Sequence, residues 1–310
     1  MSRQVHGPAS LGLSLLILLT ACTGNASAPP PRPPDAIRVA AFGFTESEIL
    51  AELYSQALEA KGYPIDRVLN AGARELVQPA LAEGLIDVVP EYAGSALAFL
   101  TLGALEGTAS VSETHDALTR VVTPLGLVAL APAPAQDANA IVVTQATADR
   151  FGLRDISDLA AVGSRLAFGG PPECAQRRLC LVGLESVYRL SFQQFIPLDT
   201  GGPLTLQALR SRGIDVALLF TTDPAIVSEG LVVLADNRGL QPSENVTPLL
   251  RREVLSTHGD GVVQTLDAVS ALLTTSDLRA MIGRVVGGSS AREVVASWLQ
   301  DHRSVSMEGS

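Results

Sequence analysis

The 310-residue chain is short of the groups that carry covalent or metal chemistry. It has three cysteines and four histidines. His6, His115, His258 and His302 are scattered, so no HExxH pair, GxSxG elbow or cysteine–histidine couple is present. Those absences exclude the common hydrolase and zinc-protease signatures, and no cofactor or metal is expected. Basic residues are scarce too. Twenty-two Lys and Arg face 32 Asp and Glu, a formal net charge of −10, and Lys61 is the sole lysine. With no Lys/Arg stripe, nucleic acid is not an expected partner. Aromatic residues make up only 4 % of the chain, which limits any ring-lined site to a few positions. The 47 % of hydrophobic residues against 17 % charged still marks a folded, core-forming chain.

One apolar run stands at the start, Leu11 to Leu19, after a basic beginning. It is too short to span a bilayer as a helix and fits a secretory signal. It ends in LTAC with Cys22, which resembles a bacterial lipobox, so residues 1–22 read as a lipoprotein signal and Cys22 as the lipidation site. The alternative is a plain signal with an incidental cysteine. Residues 23–35, small and proline-rich, cannot build a core and read as a tether. The expected body is therefore exported and held by acyl chains to the outer face of the cell membrane. Export permits disulfides, and Cys174 and Cys180 in PPECAQRRLCLVG are expected to close a small loop. Two isolated cysteines are a poor zinc site.

The body alternates strand and helix. IRVAAF reads as a strand, with Thr45 and Glu48 as a capping box for the following helix. Ile49, Leu50, Leu53, Ala57 and Leu58 form its apolar stripe, and Gly62 closes it. YPIDRVLN is a second strand, ARELVQPALAEG a second helix, and IDVVP a third strand ended by Pro90 before a helix beginning at EYAG. A helix is expected over Val111–Val122, and strands at Leu127–Leu130 and Ala140–Val143. A second α/β unit follows. The layout LVQPALAEGLIDVVPEYAG recurs weakly as LTLQALRSRGIDVALLFTTD, each copy placing polar residues where its strand stops. Two such units facing each other would make a cleft. The segment 246–250 contains Pro248, which suits an edge or crossover strand. Three helices are expected near 261–273, 276–286 and 290–300.

IDVVPEYAGSAL and AAFGFTESEILAELYSQALEAKGY resemble stretches of the osmoprotectant-binding proteins, the substrate-binding components of ABC importers for glycine betaine, choline, carnitine or proline betaine. DANAIVVTQATADRFGLRDISDLA, LAFGGPPEC and IPLDTGGPLTLQALRSRGIDVAL continue the match in order, from about Ile37 to Leu299. The resemblance implies a type II periplasmic-binding-protein fold, two α/β lobes joined by a two-crossing hinge, with residues 36–126 and 224–306 in one lobe and 127–223 in the other. It also implies a small ligand between the lobes, a permease partner and no catalysis. A methylated ammonium cannot donate a conventional hydrogen bond, so the family holds it against ring faces.

Carried over by motif, the implied ligand residues are Phe44, Thr45, Tyr92, Ser95, Arg177, Thr200, Gly201, Phe220, Thr221 and Asp223. Arg177 falls in the slot of a carboxylate-binding arginine, to within one residue. Glu91 is expected to cap the helix that follows. The chain departs from the pattern at Gly43, where the family has asparagine, and at Asn245, where many members have a tyrosine. Phe42, Tyr188 and Phe192 are further rings near strand ends, and a four-ring cage is not evident from sequence. Two other readings remain open: a ligand-sensing lipoprotein without transport, and an enzyme on the same scaffold with Cys174 as its only candidate nucleophile.

Overall fold

The computed structural model describes residues 35–302, together with Met1, Ser2 and Gln4. Cys22, the signal and the tether up to residue 34 lie outside the described residues.

The first half of the chain builds one sheet by alternating β1 (Ile37–Ala40), α1 (Thr45–Glu59), β2 (Ile65–Val68), α2 (Arg74–Ala82) and β3 (Val88–Tyr92). Strands β1, β2 and β3 are parallel, as right-handed crossovers through helices require. Helices α3 (Ala93–Leu100) and α4 (Val111–Val122) follow, then β4 (Leu127–Ala129). The chain next forms a second sheet from β5 (Asn139–Thr144), β6 (Ala167–Gly170), β7 (Gln194–Pro197), β8 (Val216–Phe220) and β9 (Leu231–Val233). Helices α5 (Gln145–Phe151), α6 (Leu181–Tyr188), α7 (Pro203–Arg210) and α8 (Ala225–Ser228) connect those strands. It returns as β10 (Val246–Arg251) and four helices, α9 (Arg252–His258), α10 (Gly261–Leu272), α11 (Thr275–Val286) and α12 (Ala291–His302).

The sheet orders are β2-β1-β3-β10-β4 and β7-β6-β8-β5-β9, so the second lobe is one continuous stretch of chain while the first takes back β10 from beyond the second crossing. The crossings therefore run between Ala129 and Asn139 and between Val233 and Val246, later than expected. Residues 127–129 belong to the first sheet and 231–233 to the second, because their partners β10 and β5 are antiparallel strands far away in sequence.

Two prolines sit where their sequence context argued against them. Pro90 lies inside β3, and Pro248 lies in β10 between two neighbours rather than at an edge. They face each other in register, so neither withholds an N–H from the other. On the far side of β10, Leu130 N donates to the Pro248 carbonyl. The Leu130 carbonyl, which a proline cannot serve, instead takes a bond from the His115 ring at 2.9 Å.

Helix α1 is the buried spine of the first lobe. Its expected apolar stripe is buried throughout, and α10, α11 and α12 pack on it. The expected capping box is absent: Phe44 is the N-cap and contributes no side-chain bond. The tie at this end is Ser47, whose hydroxyl accepts from Phe42 N at 2.8 Å. Gly62 turns the chain after the helix at φ +87°, a left-handed conformation that favours glycine. In the second lobe, Cys174 and Cys180 form the expected disulfide, their Cα atoms 5.2 Å apart.

Candidate functional site

A cavity of about 770 Å³ opens between the two sheets, lined from both lobes. The first lobe supplies the turns after β1, β2 and β3 and helix α3. The second supplies the start of β5, the disulfide loop and the end of β8. Apart from the start of the antiparallel β5, these lie at the carboxyl ends of the parallel strands, where side chains from separate turns converge.

Five rings reach the wall: Phe42, Phe44, Tyr92, Phe99 and Phe220. Phe44 is the centre, 5.4 Å from the Phe220 ring across the cleft, 6.4 Å from Tyr92 and 6.0 Å from Phe42. The Tyr92 hydroxyl donates to Glu46 Oε1 at 2.6 Å. Glu46 Oε2 accepts from the Thr222 hydroxyl of the other lobe. Burial pushes the Glu46 carboxyl up to about 7, against the opposing pull of its bonds from Thr222 and Tyr92. Asp137, in the first crossing, also lines the cavity, and burial followed by the nearby Glu46 charge raises it well above the usual carboxylate range.

Of the implied ligand residues, Phe44, Tyr92, Ser95, Arg177, Thr200 and Phe220 line the cavity. Thr45, Gly201, Thr221 and Asp223 do not. Thr45 begins helix α1. Gly201 lies behind Phe220, where a Cβ would stand 3.0 Å from the ring. The Thr221 hydroxyl donates to Asp137, and Asp223 accepts from Ala225 N. Besides Tyr92, two of the lining residues are already engaged. The Ser95 hydroxyl donates to Glu244 Oε1 at 2.8 Å, and Arg177 reaches Glu75 at 2.9 Å. Tyr188 and Phe192 belong to the second lobe's core.

Glu91 is wholly buried within β3, where it pairs with Arg74 at 2.8 Å and accepts from Gln78 at 2.6 Å. It also accepts from Tyr92 N, so its role is to hold α2 against β3 as well as to serve the strand end. At Gly43 a side chain would press on Asn70, whose Oδ1 lies 3.1 Å from the position of a Cβ. Asn70 thus brings to the wall an amide that position 43 lacks. Asn245 is structural: it accepts from Ser243 and donates to the Ala133 carbonyl in the crossings. Sequence reasoning also passed over Phe99, Asp137 and Asn139. Cys174, locked in the disulfide, offers no thiol for covalent chemistry.

Comparison with known proteins gives this arrangement a place. Residues 35–301 match the family described as the substrate binding domain of ABC-type glycine betaine transport systems. The chain belongs to that family. It is 26 % identical to a glycine-betaine-binding protein of Pseudomonas aeruginosa over 278 residues, covering 86 % of this chain and 88 % of the other. It is likewise 26 % identical to the glycine betaine-binding protein YehZ of Escherichia coli over 266 residues, 83 % and 87 % of the two chains. A crystal structure of a glycine betaine/carnitine/choline ABC transporter component superposes with a TM-score of 0.67 at 22 % identity, covering 86 % of this chain and 98 % of that one, which shows the shared two-lobed fold. The protein is thus an extracytoplasmic solute-binding component of an ABC importer, a transport protein rather than an enzyme, and its partner is the importer's permease.

Proposed function

We propose that the inter-lobe cleft binds a compatible solute of the quaternary-ammonium class and presents it to the permease. The observation that carries this is the ring cluster of Phe44, Tyr92 and Phe220, drawn from both lobes onto one cavity wall. A methylated ammonium is attracted to ring faces by about 0.5–2 kcal/mol per ring, more when water is excluded. Rings on opposite lobes reach it together only in the closed form, so the solute favours closure by its differential affinity. Asn70 and Asn139 offer amide groups beside the rings.

Titration calorimetry of the purified protein with glycine betaine, choline, carnitine, proline betaine, ectoine and polyamines tests this reading. A quaternary amine should bind, and Tyr92→Ala should weaken it at least tenfold, equivalent to about 1.4 kcal/mol. Unchanged affinity in that variant would remove Tyr92 from the site.

The LTAC motif at residues 19–22 supports a lipid anchor at Cys22 on the outer face of the cytoplasmic membrane. Cys22→Ser should then move the protein from the membrane to the soluble fraction. A variant that stayed membrane-bound and acylated would remove the anchor from that cysteine.

A further inference from the structure

The arginines on the cavity wall are all matched, and one carboxylate is not. Arg74, Arg177 and Arg178 line the cavity. Arg74 forks onto Glu91, Arg177 onto Glu75, and Arg178 meets Glu106 through Nε at 2.7 Å. Asp137 has a different environment. Its Oδ1 accepts from Thr221 Oγ1 and Thr222 N, each at 3.0 Å. The Thr222 hydroxyl also acts on this carboxylate, but none of the described guanidinium groups stands within ion-pair distance of it. The residue is 5 % exposed and lines the cavity. The register of β5 against β8, Asn139 opposite Phe220, sets it beside the ring cluster.

We propose that the cleft selects a quaternary-ammonium monocation without a carboxylate, of which choline is the simplest probe, with Asp137 as its counter-charge, and that it disfavours zwitterionic betaines. The proposal rests on the quaternary-ammonium reading and narrows it. A trimethylammonium between the rings and Asp137 gains a ring face and an opposite charge in a water-poor site. A betaine brings the same head but adds an anion. That anion meets an ionised Asp137 with like charge, or keeps Asp137 protonated and so deprives the ammonium of its counter-charge, and it finds no unpaired guanidinium among the described residues of the wall. Freeing Arg74 for it would strand Glu91 uncompensated in the core, a loss larger than one ligand contact returns.

The same geometry ties binding to protons. Glu46 of α1, the Tyr92 hydroxyl of β3, and Thr221 and Thr222 after β8 surround Asp137. Arg279 of α11 is spent on the Thr221 carbonyl, and Arg74 of α2 on Glu91. In the empty cleft burial favours the protonated Asp137. An entering cation replaces that proton, so choline should bind more tightly as pH rises.

Calorimetry with choline and glycine betaine on the wild-type protein and on Asp137→Asn tests the proposal. Choline should bind the wild type at least tenfold more tightly than glycine betaine, with an affinity that climbs from pH 5 to pH 8. In Asp137→Asn, which retains an acceptor for Thr221 and Thr222, choline should lose at least tenfold while glycine betaine holds or gains. Glycine betaine binding as tightly as choline to the wild type would overturn the selectivity and leave the quaternary-ammonium reading standing. Full choline affinity in the variant would overturn the role of Asp137. Failure of both probes, and of every other quaternary amine, would overturn the broader reading as well. A melting temperature for Asp137→Asn checks its fold; should the variant not fold, the wild-type affinity ratio and its pH course still separate the outcomes.

Discussion

At the scale of single residues, the site is governed by carboxylates that have left water. Glu46 is fully enclosed and joins Tyr92 on one side of the cleft to Thr222 on the other. Its carboxyl is displaced upward from 4.5 to about 7, chiefly by burial. A carboxyl held above its unfolded value favours the folded state when protonated. The stabilisation is fully present below about pH 4.5 and is lost as pH rises through about 7. Linkage puts the change at roughly 3 kcal/mol across that window. The ligand-free protein should therefore melt at a lower temperature at pH 8 than at pH 5, and Glu46→Gln should flatten that slope. A variant with the same pH profile as wild type would show that Glu46 is not the group responsible. Glu244, also raised to about 7 by burial, and Asp137, raised well above the usual carboxylate range, supply the residual slope. Tyr92 was legible from the sequence because a short motif surrounds it. Asp137 was not. It sits in an alanine- and proline-rich crossing, and what aims it at the cleft is a hydrogen-bonded strand end more than eighty residues away.

At the scale of elements, the repeated helix–glycine–Ile-Asp-Val unit has a physical counterpart. Asp87 precedes β3 and accepts from Arg38 N at 2.9 Å, while Asp215 precedes β8 and accepts from Ala167 N at the same distance. In each lobe this aspartate pins the incoming strand to its parallel neighbour. The helix period, the glycine and the apolar strand are local signals, which is why these units could be read from sequence. The antiparallel strands were legible as strands, but their sheet partners were not. Whether β4 joins the first sheet or the second depends on β10, over a hundred residues later, and nothing within β4 records that choice. Pro248 misled for the same reason. A proline disfavours an interior strand only when its missing N–H is needed, and here His115 satisfies the carbonyl that was left over.

At the scale of the molecule, the lobes meet at more than the rings. Arg177 and Arg178 of the second lobe reach Glu75 and Glu106 of the first at the cavity rim. All four side chains are between 28 and 52 % exposed, so each pair is worth only about 0.2–1 kcal/mol. The pairs require closed lobes, so their energy enters the solute affinity. The double variant Glu75→Ala/Glu106→Ala should weaken binding by roughly threefold to tenfold in dilute buffer. At 1 M salt, where the screening length is about 3 Å, wild type and variant should converge. A deficit that persisted at high salt would point to lost packing instead.

Both arginines are among the five residues between the bonded Cys174 and Cys180. A free loop of that kind would have to be ordered at each capture, with an entropic cost charged against the solute. Here the covalent ring has removed most of that freedom beforehand. The clasp is pre-shaped, and the swing of one lobe toward the other can go mainly into expelling water from around the solute.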